Sequence, residues 1–138
     1  EEAYLLYFNT RKDIKLNLIK PENDIYFHFD TLQISRCFSN LIKNAIEAVE
    51  KIPNPAVEVL MATDAKNIKI EIKDNGVGID EKMLSKIFEP YFTTKTKGTG
   101  LGLSIVKRII EDHGGKIKIE KNKNMAGTTS LINFEYNA

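Results

Sequence analysis

Apolar residues recur at three- and four-residue spacing through Ile34, Cys37, Phe38, Leu41, Ile42, Ala45, Ala48, Val49 and Ile52. This is the period of a helix with one buried face. Asp30 reads as its N-cap with Gln33 as capping-box partner, and Pro53 to Pro55 stop it, so a long helix is predicted between them. A second helix is predicted from near Leu101, with Leu103, Val106, Ile109 and Ile110 on its apolar side and a glycine C-cap at Gly114 and Gly115. Between the two, "AVEVLMAT" and "NIKIEIK" alternate in period two across "DAK". They predict an antiparallel hairpin that turns Val57, Val59, Ile68, Ile70 and Ile72 inward. "DIKLNLIK" and "DIYFHF", parted by the turn signal "PEND", predict two further strands or a hairpin, and Glu1 to Phe8 fit either a helix end or a lead-in strand. "EKMLSKIF" predicts a short helix, and "KIKIE" and "TSLINFEY" two closing strands around "KNKNMAG". Strands and helices do not alternate strictly. The expected architecture is therefore a two-layer α/β sandwich, with a mixed sheet of about five strands packed against about three helices.

Composition narrows the partners. The 138 residues suit one domain, expected to span 1–138. Twenty basic against 19 acidic residues leave a formal charge of +1, which argues against a broad nucleic-acid or anionic-membrane footprint and favours a small ligand. No apolar run reaches the length of a membrane span. Cys37 has no disulfide partner in the chain and sits on the apolar side of the long helix, so it reads as a buried structural thiol in a reducing cytoplasm. The chain starts without Met, and the expectation is a domain excised from a longer protein.

Three motifs carry candidate chemistry. Gly98, Gly100 and Gly102 lead into a helix, where free amides and the positive end of the helix dipole favour a phosphate. Position 103 is Leu where a dinucleotide fingerprint needs Gly, and there is no P-loop run, so those folds are disfavoured. "DNGVGI" follows a strand; Gly76 and Gly78 permit a tight turn that leaves the Asp74 carboxylate beside Val77 and Ile79, an acceptor suited to an adenine amino group. Asn40, Asn44 and Glu47 share one stripe of the long helix, where side-chain oxygens could hold a hard cation such as magnesium. Singly, each has a bland reading: a structural glycine loop, an ordinary turn, a solvated helix face. Jointly they describe one nucleotide.

In the order "NLIKNAIEA", "DNGVGI", "IFEPYFTTK", "GTGLGLS", these runs resemble the N, G1, F and G2 boxes of the catalytic ATP-binding domain of sensor histidine kinases. That family shares the Bergerat-type ATP-binding fold with Hsp90 and type II topoisomerases, and "FEPYFTTKTKGTGLGLSIVK" is especially similar to its nitrogen-regulation subgroup. The resemblance implies ATP and Mg2+ as cofactors. It places the metal on Asn44 and makes Asn40 and Lys95 catalytic, Asn40 near phosphate or the metal's waters and Lys95, with Lys97, at the outer phosphates. Asp74 would take the adenine amino group in a pocket shaped by Gly76, Gly78 and Ile79. Gly98, Thr99, Gly100, Leu101 and Gly102 would form the phosphate loop, Phe88 and Phe92 would anchor the segment between Glu89 and Gly100, and Thr128, with Thr129 as the alternative, would support adenine.

Hydrolytic members and related serine kinases of the superfamily typically carry Glu where this helix has Asn40. An amide cannot take a proton near neutral pH, whereas a neutral imidazole acceptor needs none removed. The implied activity is an ATP-dependent protein histidine kinase acting on its own dimerisation and phosphoacceptor domain, with a response regulator downstream. The two alternatives are a nucleotide-binding regulatory module without kinase activity and a serine kinase or ATPase of the same fold. Neither histidine lies in a phosphoacceptor motif: His28 alternates with strand aromatics and His113 precedes the glycine stop, so both read as structural. The expectations are an isolated monomer that does not autophosphorylate, a homodimeric parent, no nucleic acid, and a cytoplasmic location whether or not the parent is membrane-anchored. Lys69, Lys73, Lys116, Lys118, Lys121 and Lys123 read as a solvated face, and Lys43 lies off the asparagine stripe.

Overall fold

In the computed structural model, residues 14–19, 30–64, 66–89, 102–123 and 125–135 are described. In chain order they form β1 (Lys15–Ile19), α1 (Thr31–Val49), β2 (Ala56–Thr63), β3 (Asn67–Asp74), α2 (Glu81–Leu84), α3 (Gly102–Asp112), β4 (Gly115–Lys121) and β5 (Thr128–Glu135). One sheet runs β1-β2-β3-β5-β4, parallel between β1 and β2 and antiparallel elsewhere. Its register lines up Met61, Ile70, Ile132 and Ile117 across four strands on the face that α1 and α3 cover. The two-layer sandwich is as expected from the sequence.

The core fills from both layers. Helix α1 contributes Ile34, Cys37, Leu41, Ile42, Ala45, Ile46 and Val49, α3 contributes Val106, Ile109 and Ile110, and the sheet answers with Val57, Val59, Ile68, Ile70, Ile72, Ile132 and Phe134. Cys37 is 1% exposed, and burial pushes its thiol up to about 11. It stays protonated and inert at neutral pH.

Helix α3 lies antiparallel along α1, as three contacts fix. At one end Gly102 sits against Asn40, in the middle the Cys37 thiol lies 3.9 Å from the Val106 carbonyl, and at the other end the Asp30 amide donates to His113 Nε2 at 3.0 Å. His113 Nδ1 is 2.8 Å from the Ile109 carbonyl. Since Nε2 accepts, Nδ1 carries the proton and donates, so one neutral imidazole caps α3 and clasps the start of α1. The local capping role expected for His113 is there, with a long-range bond added.

Three details differ from expectation. Helix α1 ends at Val49 with Glu50 as C-cap, and Ile52 lies in the turn beyond. The residue before a proline is disfavoured in helical conformation, which shortens the pattern. Only Glu81–Leu84 of the short helix is α-helical; the chain continues through tighter turns, with the Lys86 amide on the Met83 carbonyl and the Glu89 amide on Lys86. Strand β1 finds its partner in parallel β2, and the companion strand predicted in "DIYFHF" lies outside the described residues. Among the described residues no helix is long and apolar enough to cross a membrane.

Candidate functional site

Asp74 closes β3 and is 6% exposed. Its Oδ1 accepts the Gly76 amide at 2.9 Å and the Thr128 amide at 3.3 Å. Both amides converge on one oxygen, which leaves Oδ2 able to accept a further donor. Burial pushes the carboxyl above its usual range, and the two amides pull partly against that rise. The next residue, Asn75, turns the other way: Oδ1 accepts the Ala56 amide at 2.8 Å and Nδ2 donates to the Asn54 carbonyl at 2.9 Å. In the Asp-Asn-Gly turn, one side chain faces the site and the other staples the loop behind it.

Two glycines bring distant elements to this point. A Cβ on Gly76 would lie 2.4 Å from the Ala48 carbonyl oxygen, so the loop after β3 rests directly on the last turn of α1. A Cβ on Gly102 would lie 2.8 Å from Asn40 Nδ2, so the start of α3 meets the asparagine stripe. Asn40, Asn44 and Glu47 are half-buried on that stripe. Lys43 is exposed, and its ammonium lies 4.0 Å from the Glu47 carboxylate. Gly78 takes φ +79°, a turn conformation costly to any side chain.

The structure thus places Asp74, Gly76 and Thr128 where the end of β3 and the start of β5 meet the last turn of α1, and sets Gly102, at the start of α3, against Asn40 about two turns earlier on the same helix. Thr128 is buried with its amide on Asp74; the Thr129 hydroxyl is donated to Asn122, away from Asp74 Oδ2. Phe88 holds the chain after α2 against α3, its ring 5.3 Å below Lys107 Nζ. Sequence reading gave no role to Lys107 or Asn75, since nothing in composition marks a surface lysine or a turn asparagine as a tether. Phe92, Lys95, Lys97, Gly98, Thr99, Gly100, Leu101 and His28 lie outside the described residues.

A cavity of about 460 Å³ flanks the loop, between Val77 to Asp80 and the β4–β5 turn. It touches Gly78 and Ile79 but is not lined by Asp74 or the α1 stripe, so it borders the site rather than enclosing it. Among the described residues no cluster of three His, Cys, Asp or Glu could hold a metal. The asparagine stripe nonetheless fits magnesium. Neutral amide oxygens suit a cation that takes its remaining ligands from phosphate and water, and the start of α3, the positive end of its dipole, suits the phosphate.

A family model described as "Histidine kinase-, DNA gyrase B-, and HSP90-like ATPase" matches residues 29–137. Sporulation kinase A of Bacillus subtilis (strain 168) is 40% identical over 113 residues, which are 82% of this chain and 18% of that protein. Nitrogen regulation protein NtrY of Azorhizobium caulinodans is 40% identical over 96 residues, 66% of this chain and 12% of that one. The chain spans under a fifth of the length of either relative. The nucleotide-free catalytic domain of histidine kinase ThkA superposes with a TM-score of 0.85 at 34% identity, covering 97% of this chain and 88% of that one. ThkA in complex with response regulator protein TrrA superposes at 0.81 with 29% identity, covering 99% and 39%. The chain belongs to the histidine kinase-, DNA gyrase B- and HSP90-like ATPase family, in the branch of the catalytic domains of sensor histidine kinases.

Proposed function

We propose that this domain binds Mg-ATP and presents the γ-phosphoryl group to a histidine on a separate dimerisation and phosphoacceptor domain, in two-component signalling. The observation that carries the reading is Asp74: a buried carboxylate with one oxygen fixed by two amides and the other left to accept, at the end of a strand. That is a selective seat for the adenine amino group. Asn44 would hold the magnesium, whose contribution is to neutralise charge on the phosphates. Asn40, against the start of α3, orients the phosphate end, and being an amide it leaves water unactivated. Lys95 and Lys97 are assigned the outer phosphates, and Gly98 to Gly102 the phosphate loop, on their motif. The catalysis asked of this domain is positioning and charge neutralisation for an imidazole that is already nucleophilic.

Calorimetric titration tests the metal assignment. Magnesium should tighten ATP binding to the wild type, and Asn44→Ala should lose about tenfold of that gain while binding metal-free ATP unchanged. A wild type that ignores ATP would overturn the reading, and an Asn44→Ala variant with undiminished magnesium dependence would move the metal elsewhere.

The phosphoryl acceptor belongs to another domain in this reading, and the response regulator meets the full-length protein, as ThkA meets TrrA. The isolated chain is a monomer and the parent a homodimer. Incubated with labelled ATP and magnesium, the chain should gain no acid-labile phosphate, because neither His28 nor His113 lies in a phosphoacceptor motif and His113 spends both ring nitrogens on helix ends. Stoichiometric phosphohistidine would contradict this. Asn40 speaks against the serine kinase and ATPase alternative, for want of a general base.

A further inference from the structure

Asn122, which follows β4, engages both hydrogens of its side-chain amide and also its oxygen. Nδ2 donates to the Asp74 main-chain carbonyl at 2.7 Å and to the Ala126 carbonyl at 3.0 Å, while Oδ1 accepts the Thr129 hydroxyl. Its backbone amide donates to the Gly127 carbonyl at 3.1 Å. The turn it closes presses on Asp74: Gly127 takes φ +110°, and a Cβ there would lie 2.0 Å from the Asp74 carbonyl oxygen. One residue later, the Thr128 amide reaches Asp74 Oδ1. The same turn therefore grips Asp74 twice, by its carbonyl through Asn122 and by its carboxylate through Thr128.

We infer that Asn122 is a positioning residue for nucleobase selection: by tying the β4–β5 turn to the Asp74 carbonyl, it sets where the Asp74 carboxylate points. This rests on the adenine assignment of Asp74 above. The Asn122 side chain acts through Asp74, because its amide hydrogens and its oxygen are engaged within the turn. Without its amide, the turn loses three bonds, the Thr128 amide is no longer held over Oδ1, and the second oxygen loses its fixed aim. Position matters here because discrimination between adenine, with an amino donor, and guanine, with a carbonyl at the same edge, depends on an acceptor held in place. The phosphate end is assigned to α1 and α3, whereas the Asn122 side-chain bonds run only to Asp74, Ala126 and Thr129, so phosphate binding should be insensitive.

The test compares ATP, GTP and inorganic tripolyphosphate, each with magnesium, by calorimetry on the 138-residue chain. Asn122→Ala should weaken ATP about tenfold and shrink the ATP-over-GTP preference by a similar factor, with tripolyphosphate affinity unchanged. Thr129→Val, which deletes only the hydroxyl that Asn122 accepts, should move the preference the same way by about threefold, and it decides the matter if Asn122→Ala does not fold. Equal losses for ATP and tripolyphosphate, or an undiminished ATP preference in both variants, would overturn the inference while the adenine site stands. A wild type without ATP affinity would overturn the adenine assignment and this inference with it.

Discussion

Asp74→Asn is expected to lose at least about 100-fold in ATP affinity while its thermal midpoint at pH 7 holds or rises. The substitution is isosteric. Asparagine Oδ1 can still accept the Gly76 and Thr128 amides, so the turn and the β3–β5 contact survive. What changes is the second atom, from an anionic acceptor to an Nδ2 donor that would meet the donor of adenine. The expected rise in stability follows from the direction of the Asp74 shift. Burial raises its pKa above the ordinary 3.8, so the folded state holds that proton more tightly than the unfolded chain does. Stability is then lost as pH rises from the unfolded value through the folded one, and above that window the ionised carboxylate is a standing cost that a neutral amide removes. Calorimetry and thermal unfolding of the same sample decide it. Wild-type affinity in the variant would remove Asp74 from the base, and a midpoint several degrees lower would make the loss structural.

Gly76→Ala should be strongly damaging for a single added methyl, with a loss of about 3 kcal/mol in urea unfolding and no measurable ATP binding. Its Cβ would stand 2.4 Å from the Ala48 oxygen, 2.7 Å from the Ala48 carbonyl carbon and 2.9 Å from the Ala48 Cβ. Two of these three atoms are helix backbone, so no rotamer change relieves the clash. Either the last turn of α1 or the loop after β3 must shift, and the loop carries the Gly76 amide that fixes Asp74. Gly78→Ala is the matched control. Its φ of +79° makes alanine strained, but the Gly127 carbonyl oxygen would be 3.8 Å from its Cβ, an ordinary contact. It should lose only about 1–2 kcal/mol, the cost of a left-handed side chain. If the two variants unfold at the same urea concentration, the close approach to Ala48 is not what Gly76 supplies.

The elements with strong periodicity were legible from the chain: α1 and α3 from three-four spacing, the β2–β3 hairpin from alternation, the Asp30 cap from its residue type. Asp74 was legible as an acceptor because a glycine turn at a strand end isolates a carboxylate. Pairing was less so, since alternation in "DIKLNLIK" says which face a residue takes and nothing about whether its neighbour runs parallel. The convergence of Asn40 with Gly102 and of Gly76 with Ala48 joins residues 62 and 28 positions apart, a through-space relation that local pattern does not carry. Asn75 and Asn122 fared worst. Turn asparagines are common for local reasons, and only geometry separates one that grips a neighbouring element from one that faces water.

The clasps at the two ends of the α1–α3 pair make these helices a gauge. Counting along either one, Asn40 to Asp30 and Gly102 to His113 span ten and eleven residues, about 15–17 Å at the helical rise. Matching lengths are what allow the imidazole to reach Asp30 while Gly102 reaches Asn40. One residue inserted or removed between the clasps of either helix shifts everything beyond it by about 1.5 Å and turns it by about 100°, so the two ends could no longer be met together. Sequence drift can vary the exposed side chains along these spans, yet their residue count is held fixed at both ends, and a length change is expected to be accepted only in the connecting turns.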